Sequence, residues 1–323
     1  MTAQRDHGGG LDAAIARHGG QRDDWLDLST GINPVAYPIG ALAAEAWQAL
    51  PDGGATHALV DAARTFWAVP DSAAIVPAPG ASAIIARLPY LTPQGGRAHV
   101  PGPTYNEHEA ALRASGRWAI APDERDAGFH VRVHPNNPDG RLTDPASLGS
   151  QALTVIDESF CDVCPEKSLV ACAGQPGFVI LKSFGKFWGL AGLRLGFAIG
   201  QPETLLPPDG QRNLSELLGP WPVSGPALAI GARALRDTGW ADKTRDRLAR
   251  DAARLDQMMI AAGANVVGGT DLFRLYDVQS AAEWQARLAG HHVWSRTFPY
   301  SRSWLRLGLP APNRWARLEK AIG

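Results

Sequence analysis

The sequence predicts an α/β protein, with a large domain on a mostly parallel sheet and a smaller C-terminal α/β domain. Two observations carry this. Between about Ala74 and Gly200, short apolar runs end in turn residues, with helix-like stretches between some of them. Runs this short, bounded by Gly, Pro and Asp, read as buried strands, and their alternation with helices reads as a largely parallel sheet. After Pro222 the texture changes to a long amphipathic segment followed by shorter patterns, which marks the smaller domain.

In chain order, the first forty residues are Gly-rich and irregular, apart from a short helix pattern at Leu11–Arg17. The strand readings are Ala74–Val76, Ala98–Val100, Phe129–Val133, Leu153–Ile156, Phe178–Leu181 and Leu195–Ile199, with helices at Ala81–Leu88 and Glu107–Ala114. Ala241–Ala262 reads as one amphipathic helix, because Leu248, Ala252, Leu255 and Met259 share a face. Val266–Asp277 reads as strands joined by a Gly-Gly turn, Ala281–Ala289 as a helix and Trp304–Leu309 as the last strand. The expected division is an N-terminal arm and substrate-binding segment (1–40), a large cofactor-binding domain (41–215) and a small domain (216–323). The arm is expected to join the small domain or reach a partner subunit.

A length of 323 residues, 45% of them hydrophobic, suits a full globular core. A net charge of −1 and a pI near 6.8 give no sign of nucleic acid or an anionic membrane surface as partner. There is no apolar run of about 18 residues, and Met1–Gly10 is polar, so a cytoplasmic location is expected. Cys161-x-x-Cys164 and Cys172 lack a second cysteine pair, so buried thiols are expected, with no metal and no disulfide. Only five lysines occur: Lys167, Lys182, Lys186, Lys243 and Lys320. Imine chemistry with an aldehyde requires a primary amine, which leaves few candidates.

The most informative segment follows the strand ending at Leu181. Ser183, Lys186 and Arg194 stand at fixed offsets among glycines. Ser183 is placed to donate to a phosphate oxygen, and Arg194 offers a bidentate fork. Lys186 lies between them, and a partly desolvated lysine near a cation is more readily the free amine. Four other strand ends add to this. Asp157 is a carboxylate that burial makes costly unless it is paired, and a protonated pyridine nitrogen would pair it. Asn137, in His134-Pro135-Asn136-Asn137-Pro138-Asp139-Gly140, is placed to donate to a ring oxygen. Tyr105 is placed to stack on the ring. Gly80, Ala81 and Ser82 open a helix whose N–H groups suit an anion. Each feature alone is ordinary: a surface loop, a helix cap, a tight turn, a core aromatic. Ligands in open α/β sheets gather at the carboxyl ends of strands, and all five features fall there. The set fits pyridoxal 5'-phosphate (PLP), with Lys186 forming the imine.

Ser-x-x-Lys with Arg eight residues later, Asn-Pro-x-Gly and Asp-Glu-x-aromatic together resemble the class I/II aminotransferase family of PLP enzymes, fold type I, over most of the chain. The resemblance implies that Lys186 forms the imine, Asp157 pairs with the pyridine nitrogen, Asn137 contacts the ring oxygen and Tyr105 stacks. It also implies that Gly80, Ala81, Ser82, Ser183 and Arg194 hold the phosphate, that Arg306 binds the substrate carboxylate, and that the protein is a homodimer. Two features are similar to the family's threonine-phosphate decarboxylase branch: the start His7-Gly8-Gly9 with Ser29-Thr30-Gly31-Ile32-Asn33-Pro34, and Phe160 where most aminotransferases carry Tyr. The expectation is decarboxylation of a phosphorylated amino acid in cobalamin biosynthesis. Asp157, Lys186 and Tyr105 would then carry the chemistry. His7, Gly8, Gly9, Asn33 and Arg296 would hold the substrate phosphate. The alternatives are a histidinol-phosphate-type aminotransferase, which shares the cofactor motifs, a non-catalytic PLP-binding module, and a cysteine metal protein. His134, in place of the usual Asn, departs from the family pattern.

Overall fold

The computed structural model describes residues 7–92, 95–149, 153–206 and 213–323; the polar start at Met1–Asp6 lies outside them. The chain divides into two compact units: Tyr37–Asn137 with Leu142–Asp242, and Met1–Ala36 with Pro138–Arg141 and Lys243–Gly323. Strand β1 (Leu26–Asp27) belongs to the second of these.

The larger unit is built on seven strands: β2 (Ala74–Ala78), β3 (Gly96–His99), β4 (Trp118–Ile120), β5 (Phe129–Val133), β6 (Leu153–Asp157), β7 (Phe178–Ser183) and β8 (Gly196–Gly200). Their order is β2-β8-β7-β6-β5-β3-β4. The pairs from β4 to β7 are parallel, and β8 is antiparallel to both β7 and β2. β5, β6 and β8 are buried along their whole length. β8 accordingly reads as an unbroken apolar run, whereas β5 alternates and buries His130 and Arg132, His130 bonding Ala127 O and Arg132 pairing with Glu124. One face packs Phe129, Val131, Val155, Val179 and Leu181 against Ile84, Leu88 and Leu112.

In this unit the expected strands are all present, with ends displaced by at most two residues; β4 was not anticipated. Neither were the helices Gly53–Trp67 and Gly225–Arg236. Asp52 caps the first, its Oδ1 accepting from Ala55 N at 2.9 Å, and Ser224 caps the second. They pack so closely that a Cβ on Gly231 would lie 2.9 Å from Leu59 Cδ1. Residues 216–242 lie in the larger unit.

The smaller unit holds an antiparallel sheet of β9 (Asn265–Thr270), β10 (Phe273–Asp277), β12 (Arg296–Phe298) and β13 (Ser301–Gly308), in the order β12-β13-β10-β9. The N-terminal segment joins this unit through β1, which runs parallel to β11 (Val293–Trp294). Leu248, Leu255 and Met259 are fully buried, as are Phe273, Leu275, Leu305 and Leu307. The Gly268-Gly269 pair is not the turn that its composition suggested. Both residues lie within β9, and a Cβ on Gly268 would stand 2.2 Å from Asp139 O. These glycines serve close backbone approach, and the reversal comes after Thr270. Among the described residues no helix is long and apolar enough to cross a membrane.

Candidate active site

A cleft opens to solvent at the carboxyl ends of β5, β6 and β7. At its floor Asp157 is 3% exposed. Its Oδ2 lies 2.8 Å from His108 Nε2, and its Oδ1 accepts from the N–H and hydroxyl of Ser159. Burial pushes this carboxyl up, but His108 and Ser159 more than offset it and hold the group below the ordinary carboxylate value. A buried carboxylate that stays ionised is the partner a protonated ring nitrogen requires. His108 is three residues beyond Tyr105, so one segment supplies both a cleft aromatic and the histidine behind the carboxylate.

Tyr105 lines the cleft, its ring edge-on to His108 at 6.0 Å. Burial, then the charges of Asp157 and Glu107, push its phenol up to about 12, against a hydrogen bond with Ser82. It is therefore protonated throughout the neutral range. Ser82, Ala81, Ser183 and Arg194 line the same cleft. The helix they adjoin, Ala81–Ile85, has a single turn, so its value to an anion lies in oriented N–H groups rather than in a long dipole. Gly80 has φ +89°, and a Cβ there would lie 2.6 Å from Arg194 Nη2. The absent side chain is what lets the guanidinium reach this turn. Arg194 itself is held at φ +53°, unusual for a residue with a Cβ. Ser183 stands opposite Gly196 in the β7–β8 pair, which closes the loop that carries Lys186.

Lys186 lines the cleft with its Nζ 5.1 Å from the centre of the Phe160 ring. The loop is fixed from beneath: Phe184, Phe187 and Trp188 are all fully buried. Asn137 lines the cleft at the end of β5. The structure thus brings together every residue expected around the cofactor: Ala81, Ser82, Tyr105, Asn137, Asp157, Phe160, Ser183, Lys186 and Arg194, with Gly80 against Arg194. A hydroxyl-and-guanidinium corner, an aromatic ring, an amine and a buried carboxylate in one cleft match the chemistry of a phosphorylated pyridine aldehyde.

Of the residues expected to bind substrate, Asn137 lies in the larger unit and His7, Gly8, Gly9, Asn33, Arg296 and Arg306 in the smaller one, with Gly8, Gly9 and Arg306 against Ser29. The Ser29 hydroxyl accepts from Gly9 N (2.7 Å) and donates to Asp27 (2.6 Å), and its carbonyl accepts from Arg306 Nη2 (2.8 Å). A Cβ on Gly8 would meet that carbonyl at 2.4 Å. Arg306, 5% exposed, faces Arg296 directly across β12–β13. Like charges in this register repel unless an anion lies between them. Asn33 is buried, its Oδ1 accepting from Val35 N (3.0 Å) and Arg247 Nη2 (2.6 Å). His7 is exposed. Arg247 and His108 were not singled out in sequence. Arg247 meets Asn33 across 214 residues and His108 meets Asp157 across 49, and no local signal marks either pairing.

His134, Glu158 and Cys161 place ligand-type atoms within 4.8 Å of one another. Each of these residues already has protein partners, His134 and Cys161 bonding each other among them. His134 Nδ1 accepts from Thr143 N and Nε2 donates to Lys167 O. Glu158 takes Lys182, Ser168 and Leu169 N. Its contact with Cys164, then burial, push the Cys161 thiol far up, away from the thiolate a metal prefers.

The sequence profile of the Aminotransferase class I and II family matches residues 130–322, and the chain belongs to that family. Two relatives are similar over nearly the whole chain. A threonine-phosphate decarboxylase of Sinorhizobium sp is 39% identical over 331 residues, covering 97% of this chain and 95% of its own. One from Pseudomonas aeruginosa is 37% identical over 334 residues, covering 98% and 97%. Among solved structures, a histidinol-phosphate aminotransferase of Sinorhizobium meliloti in complex with pyridoxal-5'-phosphate superposes with a TM-score of 0.79 over 97% of this chain and 94% of its own. At 18% identity that likeness concerns the fold.

Proposed function

We propose that the chain is a PLP-dependent lyase that decarboxylates O-phospho-L-threonine to (R)-1-amino-2-propanol O-phosphate, a step of cobalamin biosynthesis. What carries the cofactor is Asp157, a buried carboxylate kept ionised and sharing one cleft with Lys186. The choice of reaction is supported by the whole-length similarity to two threonine-phosphate decarboxylases. When bound, the cofactor's protonated ring takes up the electron pair left at the substrate Cα. Asp157 holds the proton on the ring nitrogen, with His108 and Ser159 keeping the carboxylate ionised. Tyr105 covers the ring face, Asn137 donates to the ring oxygen, and Gly80, Ala81, Ser82, Ser183 and Arg194 hold the phosphate. Lys186 would hold the cofactor through its aldehyde carbon, and its amine would return a proton to the substrate Cα. Arg306 would hold the substrate carboxylate and so select which bond at Cα breaks. Arg296, His7, Asn33 and the backbone at Gly8 and Gly9 receive the substrate phosphate.

We also read the protein as a cytoplasmic homodimer. Ile39, Trp47, Leu50 and Trp221 of the large unit are 51–70% exposed, an apolar surface of the kind a second copy covers.

Two measurements test the reading. Purified protein with PLP should show a visible absorbance band, and Lys186→Ala should abolish it; a band that survives the substitution sinks the cofactor assignment. Release of CO2 from phosphothreonine, without amino transfer from histidinol phosphate, is the expected activity. The reverse pattern makes the protein an aminotransferase.

A further inference from the structure

On the sheet face turned away from the cleft lies a buried ionic cluster. Side chains alternate along strands, so Lys182 and Glu158 point away from the cleft while their neighbours Ser183 and Asp157 point into it. Lys182 Nζ lies 2.6 Å from Glu158 Oε2 and 3.7 Å from Asp162 Oδ1, and all three side chains are at most 4% exposed. Asp162 also accepts two indole N–H groups: Trp67 Nε1 donates to Oδ1 at 2.9 Å and Trp188 Nε1 to Oδ2 at 3.0 Å.

Trp188 follows Lys186 by two residues. Its ring is sandwiched between Phe184 (centroids 5.0 Å apart, 11° between planes) and Trp240 (5.4 Å, 12°). Its carbonyl accepts from Tyr37 N at 2.9 Å. Stacking fixes the plane of an indole but lets the ring slide within that plane. A hydrogen bond to a charged acceptor removes that freedom. The cluster also contains Glu158, the backbone neighbour of Asp157. One set of buried charges thereby ties the strand end that carries the carboxylate to the loop that carries the amine. Buried ion pairs are often replaceable by apolar residues without loss of stability, so retaining this one calls for a geometric reason.

We propose that Asp162, acting through the indole N–H of Trp188, is a positioning residue that fixes the Lys186 amine relative to Asp157. This rests on the PLP reading of the cleft. Trp188→Phe removes the N–H and keeps an aromatic ring in the stack. Apoprotein of wild type and variant is mixed with PLP, and the rate at which the visible band appears is followed by stopped flow. Apoprotein melting temperature, kcat and KM for phosphothreonine are measured alongside.

The expected result is band formation slowed by about tenfold or more, since a misplacement of about 1 Å can cost about a hundredfold. kcat should fall with KM unchanged. Band formation at the wild-type rate overturns the proposal, whatever the melting temperature does, because a merely structural contact would lower only the latter. If Trp188→Phe does not fold, β-(3-benzothienyl)alanine at position 188 exchanges only the indole N–H for sulfur, and the same criterion applies. Absence of a band in the wild-type protein would instead sink the cofactor reading, so the two failures are distinguishable.

Discussion

Replacing His108 with Leu removes one of the contacts that keep Asp157 ionised, the 2.8 Å contact to Oδ2. The carboxylate remains fully buried and retains its two bonds from Ser159. A hydrogen bond to a charged group is worth about 1.5–3 kcal/mol, and a pKa unit corresponds to about 1.4 kcal/mol. The Asp157 pKa should therefore rise, since burial is then opposed by less. In the wild type its folded value lies below the ordinary 3.8. The contribution of ionised Asp157 is thus fully present above 3.8 and is lost only as pH falls through the lower folded value. In His108→Leu that loss should set in at higher pH than in the wild type. The assay is kcat for CO2 release from pH 4.5 to 8.5, with the visible band recorded at each pH. The variant should show a new acidic limb, and His108→Asn, which restores a donor, should push it back. An unchanged acidic limb in His108→Leu would refute the reasoning that His108 sustains the charge on Asp157.

Three further outcomes are expected. Gly80→Ala forces a side chain into a backbone conformation essentially reserved for glycine and into the Arg194 guanidinium, so the PLP dissociation constant should rise about tenfold or more by equilibrium titration. Gly268→Ala sets a Cβ against the Asp139 carbonyl, and backbone cannot yield as a flexible side chain does; calorimetry should show a melting temperature lower by about 5 °C. Leu50→Glu places a charge on the exposed apolar surface of the large unit, and light scattering should show weaker self-association with the PLP band retained.

The site around the cofactor was legible because its residues stand where strands end, and strand ends are marked by composition. Asp157 follows Leu153–Ile156, and Asn137 and Tyr105 lie in Pro-rich turns. What was not legible depends on distance along the chain. His108 meets Asp157 across 49 residues, and Trp67 meets Asp162 across 95. Neither pairing leaves a periodic or spacing signal. The helix Gly53–Trp67 opens on two glycines, which composition reads as loop, while the cap at Asp52 and packing on Gly225–Arg236 make it a helix. Gly268-Gly269 failed for the opposite reason. Glycine pairs usually mark turns, but here they admit the backbone of residues 139–140.

The antiparallel pairing of β7 and β8 has one more consequence. Ser183 is opposite Gly196, so residues 184–195 form a loop whose two ends are pinned by strand register. Arg194 and Ser183 sit at those ends, and Lys186 is measured off from one of them. The loop therefore works as a ruler whose unit is the residue. Inserting or deleting one residue would force either a bulge or a slipped register, and a one-residue slip turns strand side chains to the opposite face. Substitutions within the loop alter chemistry, whereas a change in its length would alter where that chemistry is delivered.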